Sequence, residues 1–178
     1  MITITSLGAA HRDPLGDMLI EAVTRGASVS FMHPVSRETA DGFWDRALAA
    51  AARDERVILG AFDGQALVGT VTLLLDCADN QPHRAEIAKM ITRLSHRGRG
   101  IATALLREAE RLAVQRSRTL LVLDTATDGG AAPLYEAVGF NLAGVIPDYA
   151  YKPHGGLSGT AFYWKRIGVH ENAMAAAV

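Results

Sequence analysis

The sequence predicts a mixed α+β (α/β) fold: one central, mostly antiparallel sheet of seven strands flanked by about four helices. Three observations predict it. Seven apolar or alternating runs of strand length are separated by turn residues. Two early runs meet at Asp63-Gly64, a hairpin signal. Between the fourth and fifth runs, Ile101, Leu105, Leu106, Ala109, Leu112 and Ala113 repeat at helical spacing, so those two strands are joined by a crossover and lie parallel.

In chain order, Ile2-Thr3-Ile4 alternates as a first strand. Asp13-Pro14 starts a helix, with Asp13 as N-cap, an apolar face of Leu15, Met18, Leu19, Ala22 and Val23, and Gly26 as its end. An unusually apolar loop follows over 26–34, and its Ser and His residues make it a candidate wall for a ligand. Ser36-x-x-Thr39 leads into a second helix over 37–54, with Phe43, Ala47, Leu48 and Ala51 on one side. Strands are expected at 57–62 and 67–75, the latter with Leu67, Gly69, Val71, Leu73 and Leu75 on one face. A polar turn over 76–82 precedes a strand at 83–92 and the helix from Ile101. Leu120 to Leu123 is continuously apolar, as expected for a strand covered on both faces. A short helix over 128–138 ends at Gly139. A strand over 140–146, a loop over 147–159 and a closing strand over 160–166 complete the sheet.

Composition narrows the class. A chain of 178 residues suits one domain, read as 1–167, with an Ala-rich tail over 168–178 that is expected to fray. A net charge of −1 argues against a nucleic-acid binder. One cysteine, Cys77, excludes an intramolecular disulfide, and the six histidines show no ligand spacing, so no metal is expected. No run is long enough to span a bilayer, and the first residues lack a basic segment before an apolar one, so a cytoplasmic protein is expected.

Charge is unevenly placed. Nine of the 18 Lys and Arg residues fall between Arg84 and Arg118, against three Glu, which concentrates a basic field there. Within that window Arg97-Gly98-Arg99-Gly100-Ile101-Ala102 forms a turn between a strand and a helix N-terminus. Such a turn offers unpaired N–H groups and the positive end of a helix dipole. Gly98 and Gly100 remove the Cβ atoms that would block close approach. The product is a cradle for a phosphate or diphosphate.

The string Arg-x-x-Gly-x-Ala from Arg97 to Ala102 resembles the acetyl-CoA motif of the GNAT superfamily of N-acetyltransferases. So does Asp128-x-x-Ala131-x-x-Leu134-Tyr135-x-x-x-Gly139-Phe140, in which Asp128 stands where that family usually has Asn. The likeness extends over residues 2–166. A narrower likeness, to the tabtoxin-resistance acetyltransferases, rests on Gly26-Ala27-Ser28-Val29-x-Phe31-Met32, Arg84-Ala85-Glu86-x-x-Lys89, Arg97-Gly98-Arg99-Gly100 and Leu123-Asp124-Thr125.

The resemblance implies a GNAT fold with a V-shaped splay between strands 4 and 5, and acetyl-CoA as co-substrate. The cofactor residues it implies are Met90, Ile91 and Thr92 for the pantetheine arm, and Arg97, Gly98, Arg99, Gly100, Ile101, Ala102 and Thr103 for the diphosphate. Asp128 and Tyr135 complete that set. Ser28, Phe31, Met32, Glu86 and Asp124 are implied as substrate-binding. Tyr135 is the candidate acid or hydrogen-bond donor to the departing sulfur, since a phenol near pKa ~10 faces a thiol near ~8.5. Glu86 and Asp124 are both candidates for the base, which an alkylammonium of pKa about 10.4 requires near neutrality. Cys77 precedes a turn away from both motifs, so direct transfer is expected rather than an acetyl-cysteine route.

Three functions follow from the likeness. The first is acetylation of a small amine such as an amino-acid-like toxin or antibiotic, by a monomer or homodimer without nucleic-acid or membrane partners. The apolar 26–34 segment and Trp44 favour this reading through an enclosed pocket. The others are acetylation of a protein lysine or N-terminus, and a non-catalytic CoA-binding sensor.

Overall fold

The computed structural model describes residues 1–168, so all but the first residue of the expected frayed tail lies outside the described residues. The strands are β1 (Ile2–Ser6), β2 (Arg56–Asp63), β3 (Ala66–Leu74), β4 (Arg84–Thr92), β5 (Leu120–Ala126), β6 (Asn141–Tyr151) and β7 (Leu157–Arg166). The α-helices are α1 (Arg12–Thr24), α2 (Arg37–Ala52), α3 (Ile101–Gln115) and α4 (Ala132–Ala137). The seven strands form one sheet in the order β1-β2-β3-β4-β5-β7-β6. Among the described residues only β4 and β5 pair in parallel. No helix among the described residues is long and apolar enough to cross a membrane.

Helices cover both faces. On one, Ile101, Leu105, Leu106, Ala109 and Ala113 of α3 pack with Tyr135 of α4 against Val71, Leu73, Ile87, Leu121 and Leu123. On the other, Leu15, Met18 and Leu19 of α1 and Trp44 and Leu48 of α2 pack against Ile58, Leu67 and Ile91. Trp44 is fully buried at the centre of this second core, so it packs the fold rather than lining a pocket.

The second face is covered only in part. In β5, Leu121 and Leu123 are buried, while Leu120 and Val122 are half-buried and Asp124 is exposed. The expectation of cover on both faces is corrected: α1 and α2 reach only as far as β4. The half-buried Arg84, Glu86 and Ala88 of β4 mark the edge of that cover.

Other expectations also shift. α1 begins one residue before Asp13, because a 3₁₀ turn over Ala9–His11 feeds into it and His11 takes the N-cap position. It ends as predicted. Gly26 has φ +85°, and Gly26 and Ala27 donate to the carbonyls of Val23 and Ala22 at 2.9 Å, a Schellman cap. The hairpin residues are Gly64-Gln65, with Asp63 paired to Ala66. A bulge leaves Val68 unpaired opposite Ala61 and Phe62, which turns Leu67 onto the α1/α2 face instead of the face it was expected to share with Val71. α4 starts at Ala132, later than expected. β6 runs through Pro147 to Tyr151, where a loop was expected, because a register shift between Ile146 and Ala150 accommodates the proline on this edge strand.

Candidate functional site

The site is built where β4 and β5 part. Their parallel pairing covers only Arg84↔Leu120, Ala85↔Leu121 and Glu86↔Val122. Beyond it β4 continues to Thr92 and β5 to Ala126 without pairing to each other. The splay leaves strand edges free to bond an extended ligand.

A bulge shapes β4 within the splay. Thr72 pairs with Ala88 but Thr70 with Ile91, so Lys89 and Met90 together oppose Val71, and Lys89 takes φ +50°. Arg93 then locks the strand end. Its Nε donates to the Leu67 carbonyl at 2.9 Å, and its guanidinium pairs with Glu21 of α1. Met90, Ile91 and Thr92 line a cavity of about 50 Å³ with Arg97 and α1.

The glycine turn follows. Gly98 and Gly100 have φ +74° and +76°, in the left-handed region that glycine enters without steric cost, and no atom lies within 4 Å of where their Cβ atoms would be. The first helical bond of α3 runs from Ala104 N–H to the Gly100 carbonyl at 3.0 Å. The N–H groups from Gly98 to Thr103 therefore have no backbone acceptor among the described residues, and each of these residues except Arg99 lines a cavity of about 240 Å³. Thr92, Arg97, Gly98, Gly100, Ala102, Thr103 and Leu134 line it, and Ile101 contributes from a position where its side chain is buried in the core.

The two arginines differ. Arg99 donates to Asp63 at 3.1 Å, while Arg97 lines both cavities and has no charged partner among the described residues. The buried hydroxyl of Thr92, on the wall of both cavities, has no hydrogen-bond partner among the described residues. An anionic head with a polar arm fits this set: free amides and a helix dipole for its phosphates, and an orphaned hydroxyl and splayed edges for its arm.

Tyr135 sits on α4 and lines neither cavity. The ring is buried between Phe140 and Tyr163, each 6.1 Å away between centroids. Tyr163 Oη donates to Glu136 at 3.1 Å, and Lys165 Nζ donates to the Val138 carbonyl at 2.7 Å, so two β7 side chains hold the short helix in place. Burial, and after it the Asp124 charge, push the Tyr135 phenol up to about 12.

Glu86, Lys89 and Asp124 gather on the uncovered face. Burial raises the Glu86 carboxyl above the usual range. Arg84, 3.7 Å away, opposes the rise and Asp124 adds to it. Burial lowers the Lys89 ammonium, against the pull of Asp124 and Glu86. Lys89 Nζ donates to Ser30 Oγ at 3.0 Å and lies 5.7 Å from the Phe43 ring centroid. Lys89 belongs to this cluster although the sequence reading did not assign it a role. The bulge that turns it there has no signal of its own in the sequence.

The other expected residues are distributed unevenly. Phe31 stacks edge-on with Phe43 at 5.2 Å and is half-buried, while Ser28 and Met32 are exposed on the same loop. Asp128 is bonded toward the β6–β7 hairpin. Its carboxylate accepts from Ser158 at 2.8 Å and pairs with Lys152 at 3.4 Å, so it ties the start of α4 to the β6–β7 hairpin.

The sequence model described as the acetyltransferase (GNAT) family matches residues 19–140. Streptothricin acetyltransferase from Escherichia coli is 34% identical over 113 residues, which span 62% of this chain and 62% of that protein's length. Solved structures share the fold at lower identity. Phosphinothricin acetyltransferase from Sinorhizobium meliloti, determined with AcCoA, superposes with a TM-score of 0.81 at 20% identity over 94% of this chain and 89% of its own. Ribosomal-protein-alanine N-acetyltransferase from Brucella melitensis gives 0.80 at 20% identity over 93% and 99%.

Proposed function

The chain belongs to the acetyltransferase (GNAT) family, and from that premise we propose that it is an acetyl-CoA-dependent N-acetyltransferase that acetylates a primary amine of a small molecule. The observation that carries the reading is the row of unbonded amides from Gly98 to Thr103 beside the β4–β5 splay. The streptothricin acetyltransferase relative supports a small-molecule acceptor of the antibiotic or toxin kind.

Acetyl-CoA supplies an acetyl group activated as a thioester. The amides of Gly98 to Thr103, with Arg97, hold its diphosphate. The free edge of Met90–Thr92 holds the pantetheine arm and offers a strand N–H to the carbonyl oxygen as negative charge develops there.

Glu86 takes the proton of the attacking amine. Its raised pKa brings it nearer to working pH than an ordinary glutamate, which favours it as the base. Asp124 then serves to bind the ammonium and to keep Tyr135 protonated. Tyr135 donates a hydrogen bond to the departing sulfur. With the phenol near 12 and a thiol near ~8.5, full proton transfer would be uphill by about 5 kcal/mol, so the tyrosine keeps its proton and the thiolate is protonated from solvent.

The test is a panel of lactams, amino acids, aminoglycosides, polyamines and peptides incubated with acetyl-CoA and read by free thiol. Saturable release with a subset of the small amines is expected. Release with peptides alone would favour a protein acceptor. Acetyl-CoA binding without release from any amine would favour a non-catalytic CoA sensor.

A further inference from the structure

We propose that Lys89 is a specificity-determining residue of the acceptor site, which holds a carboxylate or similar anion carried beside the amine that is acetylated. The inference rests on the acetyl-transfer reading and names the charge pattern of its acceptor.

The bulge in β4 places Lys89 on the uncovered face, at φ +50°, a conformation that disfavours any residue with a Cβ. The ammonium carries three N–H donors. Among the described residues one is engaged, in the bond to Ser30 Oγ at 3.0 Å. No carboxylate among the described residues lies within 4.0 Å of it, although Glu86 and Asp124 belong to the same cluster. The Phe43 ring steadies the charge from 5.7 Å without satisfying those donors. A half-buried cation with free donors beside a site that binds amines is arranged for an anion.

Charge balance points the same way. Glu86 and Asp124 present two negative charges, and Lys89 and Arg84 two positive ones, with Arg84 already turned to Glu86 at 3.7 Å. An acceptor with an ammonium and a neighbouring carboxylate pairs with both signs. A purely cationic acceptor gains the carboxylates but meets a like charge at Lys89. Because Ser30 belongs to the 26–34 loop, the same ammonium also ties that loop to β4, and an anion seated on Lys89 would lie beneath it.

The experiment compares matched acceptors, an amino acid and the amine left after its decarboxylation, on wild type, Lys89→Met and Lys89→Arg. Wild type is expected to favour the carboxylate-bearing acceptor by about 10- to 100-fold in kcat/KM, chiefly through KM. Lys89→Met should bring that ratio close to one, and Lys89→Arg should restore most of it. Independently, titrating a non-reactive N-methylated carboxylate into wild type should raise the Lys89 pKa, followed by NMR of the labelled Cε. Equal use of both acceptors by wild type, or an unchanged ratio in Lys89→Met, would overturn the inference and leave acetyl transfer standing. No thiol release from any amine would overturn both.

Discussion

Asp124 of β5 bears directly on Tyr135 of α4: its negative charge adds to the burial of the ring and pushes the phenol up to about 12. A raised phenol pKa favours the protonated form. Tyr135 therefore remains a hydrogen-bond donor through the neutral and mildly alkaline range. The kcat profile should show no alkaline limb from this group below pH ~11. Tyr135→Phe should lower kcat by about 10²-fold at every pH while leaving the acetyl-CoA KM within a few-fold. A steady-state pH series on both proteins checks this.

Under the proposed roles, Glu86 should supply the acid limb. Its pKa is raised, first by burial, so the carboxylate is lost at a higher pH than for an ordinary glutamate as the solution is acidified. The fall in kcat/KM on acidification should begin above the usual carboxylate range. In Glu86→Gln the limb should disappear along with about 10²-fold of the rate. If the limb survives in Glu86→Gln and disappears in Asp124→Asn, the base is Asp124.

Much of this was legible in the sequence, and the losses have physical causes. The seven strands, the parallel pair, the apolar stripe of α3 and the glycine turn were visible because each has a period or a residue type that announces it. What failed depended on distant parts of the chain. Leu67 changed face because a bulge opposite Ala61 and Phe62 breaks the two-residue period. β6 passed through Pro147 because an edge strand needs no N–H there. Trp44 was expected near a pocket and is instead the centre of the α1/α2 core, since length and aromaticity do not say which side a helix presents. At the site, motif position put Tyr135 and Glu86 forward as candidates, while Lys89 reaches the cluster only through the bulge in β4. Asp128 shares the motif position of an Asn but is occupied by Ser158 and Lys152.

Arg97 and Arg99 should separate in a binding measurement. Arg97 lines both cavities without a charged partner among the described residues, whereas Arg99 is already bonded to Asp63. Arg97→Ala should weaken acetyl-CoA binding by about tenfold and flatten its salt dependence. Arg99→Ala should change it by less than about threefold. Calorimetric titration at two salt concentrations distinguishes them.

Gly100 and Gly69 test the two sides of α3. Gly100→Ala meets no atom but forces a Cβ into φ +76°, at about 1 kcal/mol, so Tm should fall by roughly 2–4 °C and acetyl-CoA affinity with it. At Gly69 a Cβ would lie 2.8 Å from Ile101 Cγ2 and 3.1 Å from Leu105 Cδ1. Gly69→Val should therefore cost about 1–3 kcal/mol by forcing α3 off the sheet, and it should weaken acetyl-CoA binding by moving the turn. Thermal unfolding with and without acetyl-CoA reads both effects.

The most direct measurement is a crystal structure of the protein with acetyl-CoA bound. The diphosphate oxygens should accept hydrogen bonds, at about 2.7–3.2 Å, from the backbone N–H groups between Gly98 and Thr103. A diphosphate seated away from that turn, for example on the uncovered face beside Asp124, would contradict the account.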